Sequence, residues 1–168
     1  MTDLTEHLPR LRRYARALTG DTHAADDLVQ DTLERALSRF RLFRPGTRPE
    51  AWLLSIMHNL FVSQIRQRGT RPLTSPLDDT HAAPAVRGTE GDRLALRDLD
   101  RALAQLTPEQ REVLLLVSLE ELSYEETARV LGIPIGTVMS RLSRARDRLR
   151  EILAQQSGPG PAHLKVVK

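Results

Sequence analysis

Residues 123–149, SYEETARVLGIPIGTVMSRLSRARDRL, constrain the fold more than any other stretch of this 168-residue chain. Ser123 followed by Glu126 is a capping box, which satisfies unpaired N–H groups where a helix starts. Gly132 suits the left-handed residue that ends that helix. Ile133-Pro134-Ile135-Gly136 then makes a turn, and a long basic helix is expected over residues 137–153. A short capped helix, a turn containing glycine and a second helix form a helix-turn-helix. At about 100° per residue, Val138, Leu142, Ala145, Leu149 and Ile152 share the buried side of the last helix. The opposite side carries Ser140, Ser143, Arg144 and Asp147, with Arg141 and Arg148 on its shoulder. Short hydroxyls permit close approach and arginines reach base edges and phosphates, so this face suits the major groove of DNA. The plainer alternative is a solvated basic helix packed on its neighbour.

The rest of the chain also points to helices. Aromatic residues are only 4%, few for a β-sandwich or barrel, so an all-α fold is expected. Two helical blocks flank a proline- and glycine-punctuated stretch, giving an N-terminal domain at residues 1–68, an extended flexible linker at 69–92 and a C-terminal domain at 93–155. The tail, 156–168, should fray. In the first block, helices are expected at 4–18, from the Asp21 cap to about 40, and at 49–68 with a break near Asn59. Thr47 and Glu50 make a second capping-box pattern beside Pro49. In the second block a helix over 93–105 is followed by Thr107-Pro108-Glu109-Gln110, a strong helix start.

Two further faces stand out. The helix from 49 to 68 is apolar over most of its circumference, and its narrow polar stripe is Ser55, Asn59, Ser63 and Arg66, with Trp52 on the same edge. A tryptophan beside amides and hydroxyls can stack on an unpaired base; it can equally be core. The helix after Asp21 buries Ala25, Val29, Leu33, Ala36 and Phe40 and sets Asp27, Asp31 and Glu34 on the other side. Such an acidic stripe repels nucleic acid and attracts a basic protein surface, or merely keeps the domain soluble.

Charge composition fits nucleic-acid contact. The net charge is +3, and lysine occurs only at Lys165 and Lys168, so arginine supplies nearly all of the 25 basic residues. Arginine favours bidentate phosphate and guanine contacts, although a GC-rich genome would leave the same bias. There is no cysteine, which excludes a disulfide scaffold, a thiolate metal site and a cysteine nucleophile. The five histidines show no metal-ligand spacing, and Walker and GxGxxG loops are absent. No catalytic residue, metal, cofactor or small-molecule substrate is therefore expected. No run reaches the ~18 apolar residues of a membrane span, and the opening MTDLTEHLPRLRR has no apolar signal region. A cytoplasmic protein without membrane insertion is expected.

The strings AADDLVQDTLERAL, PEAWLLSIMHN and LTPEQREVLLLVSLEELSYEETARVLGIPIGTVMSRLSRAR, in that order with a linker between, resemble the extracytoplasmic-function (ECF) sigma factors, small two-domain bacterial transcription initiation subunits. The likeness covers roughly residues 11–153. It implies a sigma domain 2-like bundle followed by a helix-turn-helix, sigma domain 4-like bundle. It implies that Asp27, Gln30, Asp31 and Glu34 contact the polymerase largest subunit. Asn59 would lie at the pocket for a flipped base of the −10 promoter element, with Trp52, His58, Ser63 and Arg66 around it. Thr137, Ser140, Arg141, Ser143, Arg144 and Arg148 would read the −35 element. Core RNA polymerase, promoter DNA and an anti-sigma factor are the implied partners. Ser63 stands where the family often has aspartate, Met139 replaces a commonly basic residue, and Ser143 sits where larger side chains occur, so promoter preference is left open. The competing function is a sigma-like module that sequesters an anti-sigma factor. A dimeric helix-turn-helix repressor would leave the acidic stripe and the first domain unused.

Overall fold

The computed structural model describes residues 3–69 and 88–156. Among these residues every regular element is helical. A 3-10 turn at Leu4–His7 leads into α1 (Leu8–Thr19) and α2 (Thr22–Ser38). A second 3-10 turn, Phe40–Leu42, precedes α3 (Pro49–Gly69). The second half comprises α4 (Glu90–Ala104), α5 (Pro108–Ser118), α6 (Tyr124–Leu131) and α7 (Ile135–Gln156). Residues 70–87 of the expected linker and the tail from 157 lie outside the described residues.

Local chemistry accounts for most boundaries. Asp21 Oδ1 accepts from the His23 N–H at 3.0 Å and opens α2. Thr107 with Gln110, and Ser123 with Glu126, form complete capping boxes for α5 and α6. Gly20 and Gly132 end α1 and α6 in the left-handed region, at φ 70° and 65°. Several expectations are corrected. The helix of the second block starts at Glu90, not near Arg93, because Thr89 and Asp92 supply a further capping box. The box expected from Thr47 and Glu50 does not form. There α3 starts at Pro49, the Arg48 carbonyl accepts from the Trp52 N–H at 3.2 Å, and Glu50 faces His7 and Arg48. No break occurs at Asn59, and α3 runs on for 21 residues. Ile135 and Gly136 belong to the first turn of α7 rather than to the preceding turn. Phe40 leaves the helix and is 38% exposed, while Leu28 and Thr32 join Ala25, Val29 and Ala36 on the buried face of α2.

In the first half α1 packs on α2 and α2 on α3; in the second, α4, α5 and α6 each pack on α7. Leu18, Leu28, Leu53 and Met57 are wholly enclosed in the first, Val113, Leu116 and Val138 in the second. Each such leucine contributes about 1.5–3 kcal/mol by leaving water. The halves do not stand apart. Helix α1 also contacts α5, and α3 contacts α6, so the buried side chains of both halves join one apolar cluster. Most of α3 is apolar because it is covered from two sides, by α2 and by α6.

Candidate nucleic-acid interface

Helix α7 turns its apolar stripe inward: Val138, Leu142, Ala145 and Ile152 are buried, and Leu149 is half-buried. Ser140, Ser143, Arg144 and Asp147 consequently face solvent. Ser140 Oγ donates to the Thr137 carbonyl at 3.2 Å, and Thr137 itself is half-buried at the helix start. Arg144 has no ion-pair partner among the described residues. Arg148 is half-buried and reaches Glu151 at 3.3 Å. Arg141, like Arg148, stands at the shoulder of the outward group. It is half-buried on the flank toward α5, where its charge acts on Glu112. Beside the outward face lies a groove lined by Tyr124, Met139, Ser143, Arg146 and Arg150. Arg146 and Arg150 extend the basic surface, and sequence reasoning passed over them because they fall to one side of the serine–arginine line.

On α3, Asn59, Ser63 and Arg66 are exposed and share one face. Ser55 is turned back, its Oγ donating to the Trp52 carbonyl at 2.6 Å. Trp52 is half-buried at the end of this face, with the Phe43 ring 5.2 Å away and the Phe40 ring 6.5 Å away. Arg39, Arg41, Arg44 and Arg48, all exposed, lie in the segment that carries these rings. Rings fringed by arginines have the chemistry on which unpaired bases can stack. The alternation RFRLFR at 39–44 signals it, yet it was missed because Phe40 was assigned to the core. His58 does not join this face. It points to the other half, where its Nδ1 shares a hydrogen bond of 2.5 Å with Glu112 Oε1.

Helix α2 presents Asp27, Gln30, Asp31 and Glu34 to solvent. Gln30 Nε2 donates to Glu34 Oε1 at 3.2 Å, and none of the three carboxylates meets a cation among the described residues. The acidic face is thus fully available.

Polar groups also line the contact between the halves. Arg10 of α1 pairs with Glu120 through Nε, and its Nη2 donates to the Glu120 carbonyl at 2.7 Å. Arg111 of α5 donates across to the Leu18 carbonyl at 2.7 Å and within its own half to Leu103 at 2.8 Å. Arg48 reaches Glu126 at 3.3 Å near the surface. Burial pushes the Glu112 carboxyl above its ordinary value, and the His58 hydrogen bond and the His58 and Arg141 charges oppose that rise. Burial also holds the Tyr14 phenol well above its ordinary range, with Glu112 and Glu120 adding to the effect. Hydrogen bonding from the Ser123 backbone holds Glu126 below the usual carboxylate value.

Comparison with known proteins bears on both halves. Residues 4–58 match the family described as the sigma2 domain of PhyR, and residues 96–149 match sigma-70, region 4. The chain is 38% identical to the ECF RNA polymerase sigma factor EcfG of Rhodopseudomonas palustris, over 94% of this chain and 88% of that protein. It is 38% identical to the ECF RNA polymerase sigma factor SigC of Mycobacterium tuberculosis, over 79% of this chain and 72% of that one. Among solved structures it is similar to the sigma factor RpoE of Bartonella quintana, crystallised with the anti-sigma factor NepR. The TM-score is 0.78 and the identity 39%, over 90% of this chain and 94% of the other. CnrH, solved with the cytosolic domain of CnrY, gives a TM-score of 0.66 at 27% identity, over 92% and 86%.

Proposed function

Since the chain belongs to the ECF sigma factors, we propose that it binds core RNA polymerase and brings it to promoters through two DNA-reading faces. The carrying observation is the separation of surfaces by charge: an unpaired acidic face on α2, an arginine–aromatic face at α3, and a serine–arginine face on α7. Asp27, Gln30, Asp31 and Glu34 take the polymerase, since phosphates would be repelled there. Asn59, with Trp52, Ser63, Arg66 and the rings of Phe40 and Phe43, receives a base flipped from the −10 element. Binding it offsets an unstacking cost of a few kcal/mol. Ser140, Ser143 and Arg144 read the −35 element, with Thr137 and Arg148 at the edge of that contact. His58, hydrogen-bonded to Glu112 of the other half, reaches DNA only when the halves separate, while Arg141 stands half-buried at the flank of the −35 contact. The protein acts as a transcription factor and performs no chemistry of its own, and its place is with the polymerase in the cytoplasm.

An anti-sigma factor is the third partner, as RpoE is held by NepR. One observation favours a second function. The family matched over residues 4–58 is that of PhyR, named an anti-anti-sigma factor in its complex with NepR. Run-off transcription separates the two, with core polymerase and DNA from upstream of the chain's own gene. A transcript that appears only when the protein is added is expected. Capture of an anti-sigma factor with no transcript would favour the sequestering module.

A further inference from the structure

We propose that Met139 of α7 is a specificity-determining residue of the −35 contact, its side chain packing on the C5-methyl group of a thymine. Met139 is 53% exposed, a long apolar side chain beside a face of serines and arginines. Its neighbours toward that face, Gly136, Ser140 and Ser143, are short and exposed. A Cβ added at Gly136 would meet nothing within 4 Å, so the chain's own packing leaves this end of the helix open. The first turns of α7 can therefore approach another surface closely, and among these residues Met139 reaches furthest. Two more exposed apolar residues stand beside it. Ile135 precedes it by one helical turn on the same side, and Tyr124, the first residue of α6, lines the same groove. Apolar residues scattered singly over a surface are ordinary; these three are gathered at the reading end of a recognition helix.

The charges around the patch favour a duplex as the surface that meets it. Arg144, Arg146 and Arg150 are exposed nearby, and Asp147, the carboxylate that lines the groove, is held by Arg150 at 3.3 Å. Positive charge is thus offered to phosphates on the flank of the apolar residues. Recognition helices set their N-terminal residues against base edges in the major groove, and Met139 lies in the second turn of α7. In that groove each base pair shows its own pattern, and only thymine presents a methyl group. A thioether side chain carries no charge and has no N–H or O–H to donate. Against guanine it would strip water from two acceptors, and against cytosine from an amino donor, without replacing the hydrogen bonds. Against thymine it buries a methyl group, a gain of about fourfold in the binding constant. Met139 thus selects thymine both by what it attracts and by what it leaves unpaired on the other bases.

This inference rests on the sigma-factor function proposed above and names a base that the α7 face reads. Holoenzyme is assembled from the full chain and core polymerase, and its binding to DNA from upstream of the chain's own gene is measured. Each thymine of the −35 region is replaced in turn by deoxyuridine, which removes the methyl group and leaves base pairing intact. With the unmutated chain, the loss of one methyl is expected to weaken binding about fourfold at one thymine or at two neighbouring ones. Met139→Ala, with circular dichroism as the control for folding, should bind the thymine and uracil forms of that site equally. Met139→Arg gives a second readout, by selection from DNA randomised over the −35 element. The preferred base at that position is expected to change from thymine to guanine, to which arginine donates two hydrogen bonds. A methyl effect that persists in folded Met139→Ala, a Met139→Arg protein that still selects thymine, or binding indifferent to every methyl overturns the inference. So does a Met139→Ala protein that fails to capture core polymerase without DNA, since the patch would then be a protein contact. A transcript from the unmodified DNA alongside any of these results defeats the inference alone; no transcript defeats the sigma-factor function and the inference with it.

Discussion

Glu121 is the one non-glycine residue with positive φ, 55°, among the described residues. It sits between α5 and α6, exposed, at the corner that sets Glu120 into the contact between the halves. A side chain in the left-handed region costs about 1–2 kcal/mol, part of which glycine returns as lost order in the unfolded chain. Glu121→Gly is expected to stabilise the fold by about 0.5–1 kcal/mol, read from urea denaturation; a lower midpoint would mean the side chain makes a contact worth more than the strain. Arg144 carries the second residue-scale prediction. It projects from the exposed side of α7 without an ion-pair partner, so Arg144→Ala should weaken holoenzyme binding by about 1–3 kcal/mol on a promoter with its −35 element intact. Binding to DNA with a mutated −35 element should change little. An equal loss on both DNAs would assign Arg144 to a phosphate instead.

At the scale of elements, α2 divides cleanly into a buried and an acidic side. Ala25, Leu28, Val29, Thr32 and Ala36 hold it to its neighbours, while Asp27, Asp31 and Glu34 meet only solvent and Gln30. Single rim charges contribute little, so one change can be silent. Reversing two, Asp31→Lys with Glu34→Lys, turns attraction into repulsion and should cost several kcal/mol of core polymerase binding. Salt at about 0.5 M should narrow the difference by screening. Circular dichroism should be unchanged, because the buried side is untouched. A pull-down showing wild-type capture by the folded double mutant would return the stripe to a solvated surface. Helix α3 is the opposite case. With apolar residues nearly all round, its sequence names no single buried face, and only its narrow polar stripe could be read.

For the whole molecule, the contacts between the halves differ in weight according to burial. Arg48 is 48% exposed beside Glu126, so Arg48→Ala should lower the unfolding free energy by less than about 1 kcal/mol. Arg10→Ala, which leaves the fully buried Glu120 without its cation, should cost several times more. Thermal unfolding followed by circular dichroism compares them directly; equal losses would show that burial does not set their weights. Most of the helices, the caps at Asp21, Thr107 and Ser123 and the outward face of α7 could be read from the chain alone, whereas the Thr89–Asp92 box was not and the Thr47–Glu50 box does not form. Each depends on residues within about four positions of one another, where hydrogen bonding and periodicity act without help from the rest of the molecule. That an arginine-rich chain carries one acidic helix face was legible for the same reason. The closure of one half on the other was not. Glutamates are ordinarily surface residues, and nothing near Glu112 or Glu120 in sequence announces their burial. Their partners His58 and Arg10 stand 54 and 110 positions away. Pairings at that range are decided by which apolar faces of α1, α3, α5 and α6 pack together, and that packing also turned His58 away from the polar stripe of α3 and toward the other half.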